Sequence, residues 1–173
     1  MNWNLRKTLM PWLGSALTAV TLLAAGCADD HGDPLAEACG HFTAQGGVAR
    51  TLGADATSAV DLPAAHERID LTFVEAEFDS GSKGLGGHGA VAIDAAGDWA
   101  VLISEDTPVE VRGPNGAVLA PESTQTAPAA CPAAVKVLTF ELAVGKHAVR
   151  IGPSTASGAK LLIERLEHDE DAH

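Results

Sequence analysis

The sequence predicts an all-β protein that forms a single antiparallel β-sandwich. Short segments in which apolar and polar residues alternate are separated by turn sequences, a pattern typical of sandwiches. The 173-residue chain is 46% hydrophobic and 20% charged, which excludes a disordered chain and a protein with many membrane spans. This length suffices for one domain with a real hydrophobic core.

The first segment has the features of an export signal. Arg6 and Lys7 precede an apolar run that ends at Ala25, and this run is too short and too rich in Gly and Pro for a retained spanning helix. Small residues then lead directly into Cys27. This sequence resembles the bacterial lipobox, in which the cysteine thiol receives a diacylglyceryl group and becomes the new N-terminus. The resemblance implies that residues 1–26 are a lipoprotein signal peptide; the alternative is an ordinary signal peptide followed by a chance cysteine.

The resemblance also implies where the protein is located. Two or three acyl chains on Cys27 would anchor it stably to a membrane, since each buried methylene contributes about 0.8 kcal/mol. The residue after Cys27 is Ala28, and the acidic Asp29 comes one position later. An aspartate directly after the cysteine is the usual inner-membrane retention signal in diderm bacteria. We therefore expect a cell-envelope protein that is lipid-anchored in the outer membrane.

Residues 27–38 are polar and acidic, and they read as a short tether to the folded part. After lipidation of Cys27 the chain keeps two cysteines, Cys39 and Cys131, which predict one disulfide in an oxidising compartment. Two free buried thiols and a two-cysteine metal site are the alternatives. The folded domain is assigned to residues 39–167.

The strand pattern begins at Ile69, where apolar and polar residues alternate as far as Phe73. The alternation then slips by one residue and continues from Val74 to Phe78, which predicts a β-bulge or a bend. A glycine-rich stretch around residues 81–89 reads as a flexible hairpin loop, and residues 120–133 read as a long loop around Cys131. Further predicted strands cover residues 90–93, 98–103, 108–112, 117–120, 135–144, 147–151 and 160–166, of which the last also fits a short helix.

Residues 145–151, Gly-Lys-His-Ala-Val-Arg-Ile, are followed by a Gly/Ser loop and a short Leu-rich segment. This arrangement resembles the closing hairpin of bacterial pre-peptidase C-terminal domains, and the similarity covers roughly residues 69–167. It consists of hydrophobic spacing and turns, and His147 stands where an aromatic residue is usual. The resemblance implies a jelly-roll-like sandwich without catalytic residues of its own.

The sequence also gives no sign of an enzyme. Ser80 and Lys83 have the S-x-x-K spacing of serine acyl-transferases, but they lie in a glycine-rich stretch that does not support a helix. G-x-S-x-G and H-E-x-x-H motifs are absent from the sequence. We therefore expect a non-enzymatic protein with a binding or structural role toward a protein or glycan.

Histidines among acidic residues provide an alternative function. His31 lies in the acidic tether, and His168 and His173 lie in an acidic tail, residues 168–173. His88 lies in the glycine-rich stretch. Imidazole and carboxylate groups together suit Zn²⁺ or Cu²⁺, so these four histidines are candidate metal ligands of a periplasmic metal-binding lipoprotein. No dedicated cofactor is expected, only weak Zn²⁺ or Cu²⁺ binding.

The charge excludes one class of partner. The chain carries 23 acidic and 11 basic residues, a formal charge of −12. Removing residues 1–26 takes away Arg6 and Lys7 and no acidic residue, so the mature chain has a formal charge of −14. Such a charge disfavours nucleic acid, and the expected membrane contact is made by the lipid.

Overall fold

Two β-sheets pack face to face and enclose the main hydrophobic core, so the predicted sandwich is confirmed. The structure is a computed structural model that describes residues 33–64, 66–78 and 81–166. These residues belong to one compact unit. Cys27, His31, His168 and His173 lie outside the described residues.

The described part of the chain contains one α-helix, a short 3₁₀ helix and twelve strands. The helices are α1 (Pro34–Thr43) and the 3₁₀ helix Ala56–Ser58. The strands are β1 (Val48–Thr51), β2 (Val60–Leu62), β3 (Ile69–Thr72), β4 (Val74–Glu77), β5 (Lys83–Ile93), β6 (Gly97–Ile103), β7 (Val109–Arg112), β8 (Val118–Leu119), β9 (Ser123–Thr126), β10 (Lys136–Leu142), β11 (Gly145–Ser154) and β12 (Gly158–Arg165).

Sheet one has the strand order β1-β3-β12-β6-β10-β9, and sheet two has the order β2-β5-β11-β7-β8, with β4 also paired to β5. The expectation of a purely antiparallel sandwich needs correction, because β1 pairs with β3 and β2 pairs with β5 in parallel. Parallel neighbours require a crossover connection rather than a hairpin. Here β2 in sheet two lies between β1 and β3 along the chain and is part of that crossover.

The slip in alternation after Phe73 has a structural cause. The chain leaves sheet one at the end of β3 and enters sheet two with β4, so the bend predicted there is a change of sheet. At the transition the Phe73 N–H donates to the carbonyl of Ser157, at 2.8 Å. The final apolar segment, which fitted either a strand or a helix, is strand β12.

Helix α1 was not predicted, and the tether assigned to residues 27–38 needs correction because residues 34–38 are helical. Asp33 caps the helix by accepting from the Leu35 N–H, and Pro34 occupies the first turn, where its missing N–H costs nothing. Ala38, Cys39 and Phe42 are buried at helical spacing against the outer face of sheet one.

The disulfide between Cys39 and Cys131 is present, with 5.3 Å between the two Cα atoms. It joins α1 to the segment between β9 and β10, in which strand β9 interrupts the loop expected over residues 120–133. Under α1, Leu102 of β6 and Leu162 of β12 complete a second apolar cluster. Strands β6 and β12 are therefore buried on both faces.

The glycine-rich stretch before residue 90 is not a hairpin loop, and His88 lies inside the long strand β5. Gly86 has φ +155°, and a Cβ there would lie 2.2 Å from the carbonyl oxygen of Ile151. Glycine is needed because β11 approaches β5 too closely for a side chain. None of the helices in the described ranges is long and apolar enough to span a membrane.

Candidate metal centre

A buried carboxylate is the central group of the candidate site. Glu164 follows Leu161 and Ile163, which point into the main core, so its own side chain points to the opposite face of sheet one, toward α1. Its cross-strand neighbour is Ala100, whose small side chain leaves room there. The Glu164 side chain is only 4% exposed.

Two imidazoles meet this carboxylate. His41, on α1, places its Nδ1 atom 2.8 Å from Oε1 and 3.0 Å from Oε2 of Glu164. His66, in the connection between β2 and β3, places its Nδ1 atom 2.8 Å from the same Oε1. The two Nδ1 atoms lie 3.3 Å apart, and the rings meet edge to face with centroids 4.7 Å apart. The three residues come from positions far apart in the chain.

The backbone at His66 is unusual. Its φ is +48°, in the left-handed region that residues with a Cβ occupy at a cost of about 1–2 kcal/mol. Strained backbone of this kind is concentrated at functional sites. This conformation directs the imidazole toward Glu164.

The electrostatics of the site favour a cation. A carboxylate removed from water costs several kcal/mol unless a positive group compensates it. Within the described ranges, Glu164 contacts the imidazoles of His41 and His66 and no lysine or arginine. Neutral imidazoles compensate a carboxylate only by donating their Nδ1–H groups, whereas a divalent cation would supply the charge directly.

The distances suit a transition-metal ion. Ligand atoms placed tetrahedrally about 2.0–2.1 Å from Zn²⁺ lie about 3.3 Å from one another. The three potential ligand atoms of His41, His66 and Glu164 are separated by 2.8–3.3 Å, so shifts of a few tenths of an ångström would complete the geometry. Two imidazoles and one carboxylate are also a recurring ligand set for Zn²⁺ and Fe²⁺.

Of the four metal ligands predicted from the sequence, His88 is the one within the described residues, and it is not part of this cluster. His88 lies on β5 in the other sheet, and the remaining three candidates lie outside the described residues. The sequence does not single out His41, His66 and Glu164, because no short spacing connects them. One signal was available: Glu164 directly follows an apolar run in a strand, where a charged residue requires a partner.

Comparison with protein-family models gave no match, and comparison with curated proteins gave none either. The resemblance to the lipobox and to pre-peptidase C-terminal domains thus stays a prediction from the residues quoted above.

Proposed function

We propose that this protein is a lipid-anchored, non-enzymatic cell-envelope protein that binds a divalent transition-metal ion, foremost Zn²⁺, through His41, His66 and Glu164. The observation that carries the proposal is the convergence of three ligand atoms from α1, the β2–β3 connection and β12. This favours the metal-binding alternative over a general adhesive or structural role. In this proposal the metal ligands belong to the folded domain and not to the N- and C-terminal tails.

The exposure of the ligands supports exchange of the ion rather than permanent storage. Glu164 is 4% exposed, His41 is 32% exposed and His66 is 63% exposed at the side chain. Structural zinc sites usually have four protein ligands and are closed, while sites with three keep an open position. An ion held here would be reached from the His66 side by water, by a chelator or by a second protein.

The proposed anchor gives this exchange a location. Acyl chains on Cys27 would hold the domain at the membrane surface, and the acidic mature chain would raise the local concentration of cations at low ionic strength. A site with an open ligand position at this surface fits a protein that accepts or passes on metal ions within the envelope.

The test is calorimetric titration of Zn²⁺ into the mature protein in detergent. We expect one ion per chain at the cluster. Loss of an outer-shell partner costs about 10–100-fold in metal affinity, so loss of the ligand in Glu164→Gln should cost more. Ca²⁺ should bind far more weakly, because it prefers six to eight oxygen ligands.

Two further variants make the test selective. His66→Gly removes a ligand, so zinc affinity should fall. Relief of the positive φ offsets part of the stability that is lost with the contact to Glu164, so the metal-free protein should still fold. Glu141→Gln removes an exposed carboxylate from β10 and should leave the affinity unchanged. If removal of residues 167–173 abolishes binding and Glu164→Gln does not, the ion is bound by the tail and the proposal is wrong.

A further inference from the structure

Strand β9 and the segment that follows it differ in composition from the rest of the chain. No residue from Ser123 to Val135 is charged, although 20% of the whole chain is charged, and this segment consists mainly of Ala, Pro, Ser and Thr. Segments rich in serine and threonine with proline are typical of O-glycosylated proteins. The proposed metal centre takes no residue from this segment, so its composition has a separate cause.

The structure places the hydroxyl groups of this segment on an open edge. In the described part of the chain, β9 is the last strand of sheet one and pairs with β10 alone. All four residues of β9 are exposed, and so are the flanking Pro121 and Ala127. An enzyme that modifies side chains can therefore reach β9 in the folded protein, without any opening of the sandwich.

The three hydroxyl groups of β9 are not equivalent. The Ser123 hydroxyl donates to Oγ1 of Thr139 on β10, at 3.0 Å. The hydroxyls of Thr124 and Thr126 have no hydrogen-bond partner among the residues that the structure describes. Because residues two apart in a strand point to the same face, these two hydroxyls lie on one side of β9. They are the groups of this strand that a transferase can use without breaking a contact.

A modification on β9 would also have a physical effect. An exposed edge strand presents unpaired backbone groups to other chains, and proteins protect such edges with charged side chains, proline or a covering segment. The residues of β9 are uncharged, and the nearest prolines, Pro121 and Pro128, lie outside the strand. A bulky, hydrophilic glycan on this strand would block the approach of a second chain.

We propose that Thr124 and Thr126 are O-glycosylation sites of this protein. The acceptor atom is the threonine Oγ1, and the donor is a sugar whose anomeric carbon is joined to a phosphate of a nucleotide or lipid carrier. The bond between Oγ1 and the anomeric carbon forms as the bond from that carbon to the phosphate oxygen breaks. The phosphate leaves with the carrier, and a base of the transferase takes the hydroxyl proton. These sites are independent of the proposed metal centre and of the lipid anchor.

The experiment is peptide mass spectrometry on the protein purified from the cells that naturally produce it. After reduction of the disulfide, trypsin releases residues 113–136 as one peptide, because Arg112 and Lys136 enclose a stretch with no other lysine or arginine. We expect this peptide to exceed the mass of its bare sequence by whole monosaccharide residues. Fragmentation that preserves glycosidic bonds should assign the sugars to Thr124 and Thr126.

Two variants assign the modification to these threonines. The double variant Thr124→Val, Thr126→Val keeps β-branched side chains that suit a strand but removes both hydroxyls, so the added mass should be lost. Thr51→Val changes an exposed threonine on β1, at the opposite edge of the same sheet, and should leave the added mass on residues 113–136 unchanged. A peptide of the bare mass in the natural protein, or an added mass that persists in the double variant, would overturn the proposal.

Discussion

Asp55 illustrates how one side chain organises a short segment. It precedes the 3₁₀ helix Ala56–Ser58 and accepts hydrogen bonds from the N–H groups of Thr57 and Ser58, while the Ser58 hydroxyl accepts from the Asp55 N–H. The hydrogen bond from the Thr57 hydroxyl, followed by the backbone and side-chain bonds from Ser58, lowers the pKa of Asp55 from 3.8 to about 2. These bonds fix the conformation of the 3₁₀ helix.

The lowered pKa predicts a pH dependence. A carboxyl group whose folded-state pKa is depressed stabilises the fold above the unfolded value of 3.8, and this contribution is lost as the pH falls toward about 2. We expect NMR titration of the Asp55 carboxyl carbon to give a midpoint near 2. In Asp55→Asn the amide oxygen still caps the helix, so the part of the pH-dependent stability that Asp55 contributes should disappear. A midpoint at the ordinary value would contradict this account of the cap.

The residues of the candidate metal centre could not be predicted from the sequence, whereas the disulfide could. The pairing of Cys39 with Cys131 followed from counting, because two cysteines have one partner each. His41, His66 and Glu164 required knowledge of which segments meet in space, and helix α1 was absent from the predicted elements. His88 was a candidate because of its position in an expected glycine-rich loop, but those glycines belong to strand β5.

Among the elements, strands with regular alternation were predicted well. The predicted segment 98–103 covers all but the first residue of β6, and the segment 135–144 contains β10. Their apolar residues fit a pleated surface packed on a core. The first two strands, the helix and β9 were missed. The strands among these are short or polar, and tertiary pairing rather than local pattern places them in the sheets.

Helix α1 contributes His41. The disulfide attaches this helix to the domain at Cys39, two residues before His41. A bridge that closes a loop with a sequence separation of 92 restricts the unfolded chain. The chain-entropy model assigns such a loop about 4–5 kcal/mol. We expect the double variant Cys39→Ser, Cys131→Ser to unfold at lower denaturant concentration, with a loss up to this size.

The same variant should also bind Zn²⁺ more weakly, because α1 then depends on the apolar packing of Leu35, Ala38 and Phe42 to position His41. Calorimetry on the folded variant, with Glu141→Gln as the reference, measures this effect. Unchanged zinc affinity would mean that apolar packing is sufficient to hold the helix and that the bridge contributes stability only.

For the molecule as a whole, the sandwich was predicted because several short alternating strands must bury their apolar faces against a second sheet. The mixture of parallel and antiparallel strands was not predicted. The periodicity of a strand shows which of its faces is buried, but it does not show which strands are its neighbours. The location of the protein depends on residues outside the described ranges, where the lipobox resemblance remains a prediction.

This anchor is testable on the complete chain in a bacterial host. We expect Cys27→Ser to abolish metabolic labelling with palmitate and to shift the protein out of the membrane fraction or leave it unprocessed, because the proposed acceptor of the diacylglyceryl group is the Cys27 thiol. The double variant at Cys39 and Cys131 is the matched control and should be labelled like the natural chain. Equal labelling of Cys27→Ser would rule out the lipoprotein assignment.

The position of β12 determines the order in which the molecule can assemble. This last described strand occupies an inner place in sheet one, between β3 and β6, so neither of those strands has both of its neighbours until the C-terminal region is available. A chain that crosses a membrane from its N-terminus would therefore stay open during transit, which suits export in an unfolded form. Since Glu164 belongs to β12, the proposed metal centre would form only after nearly the whole chain has emerged.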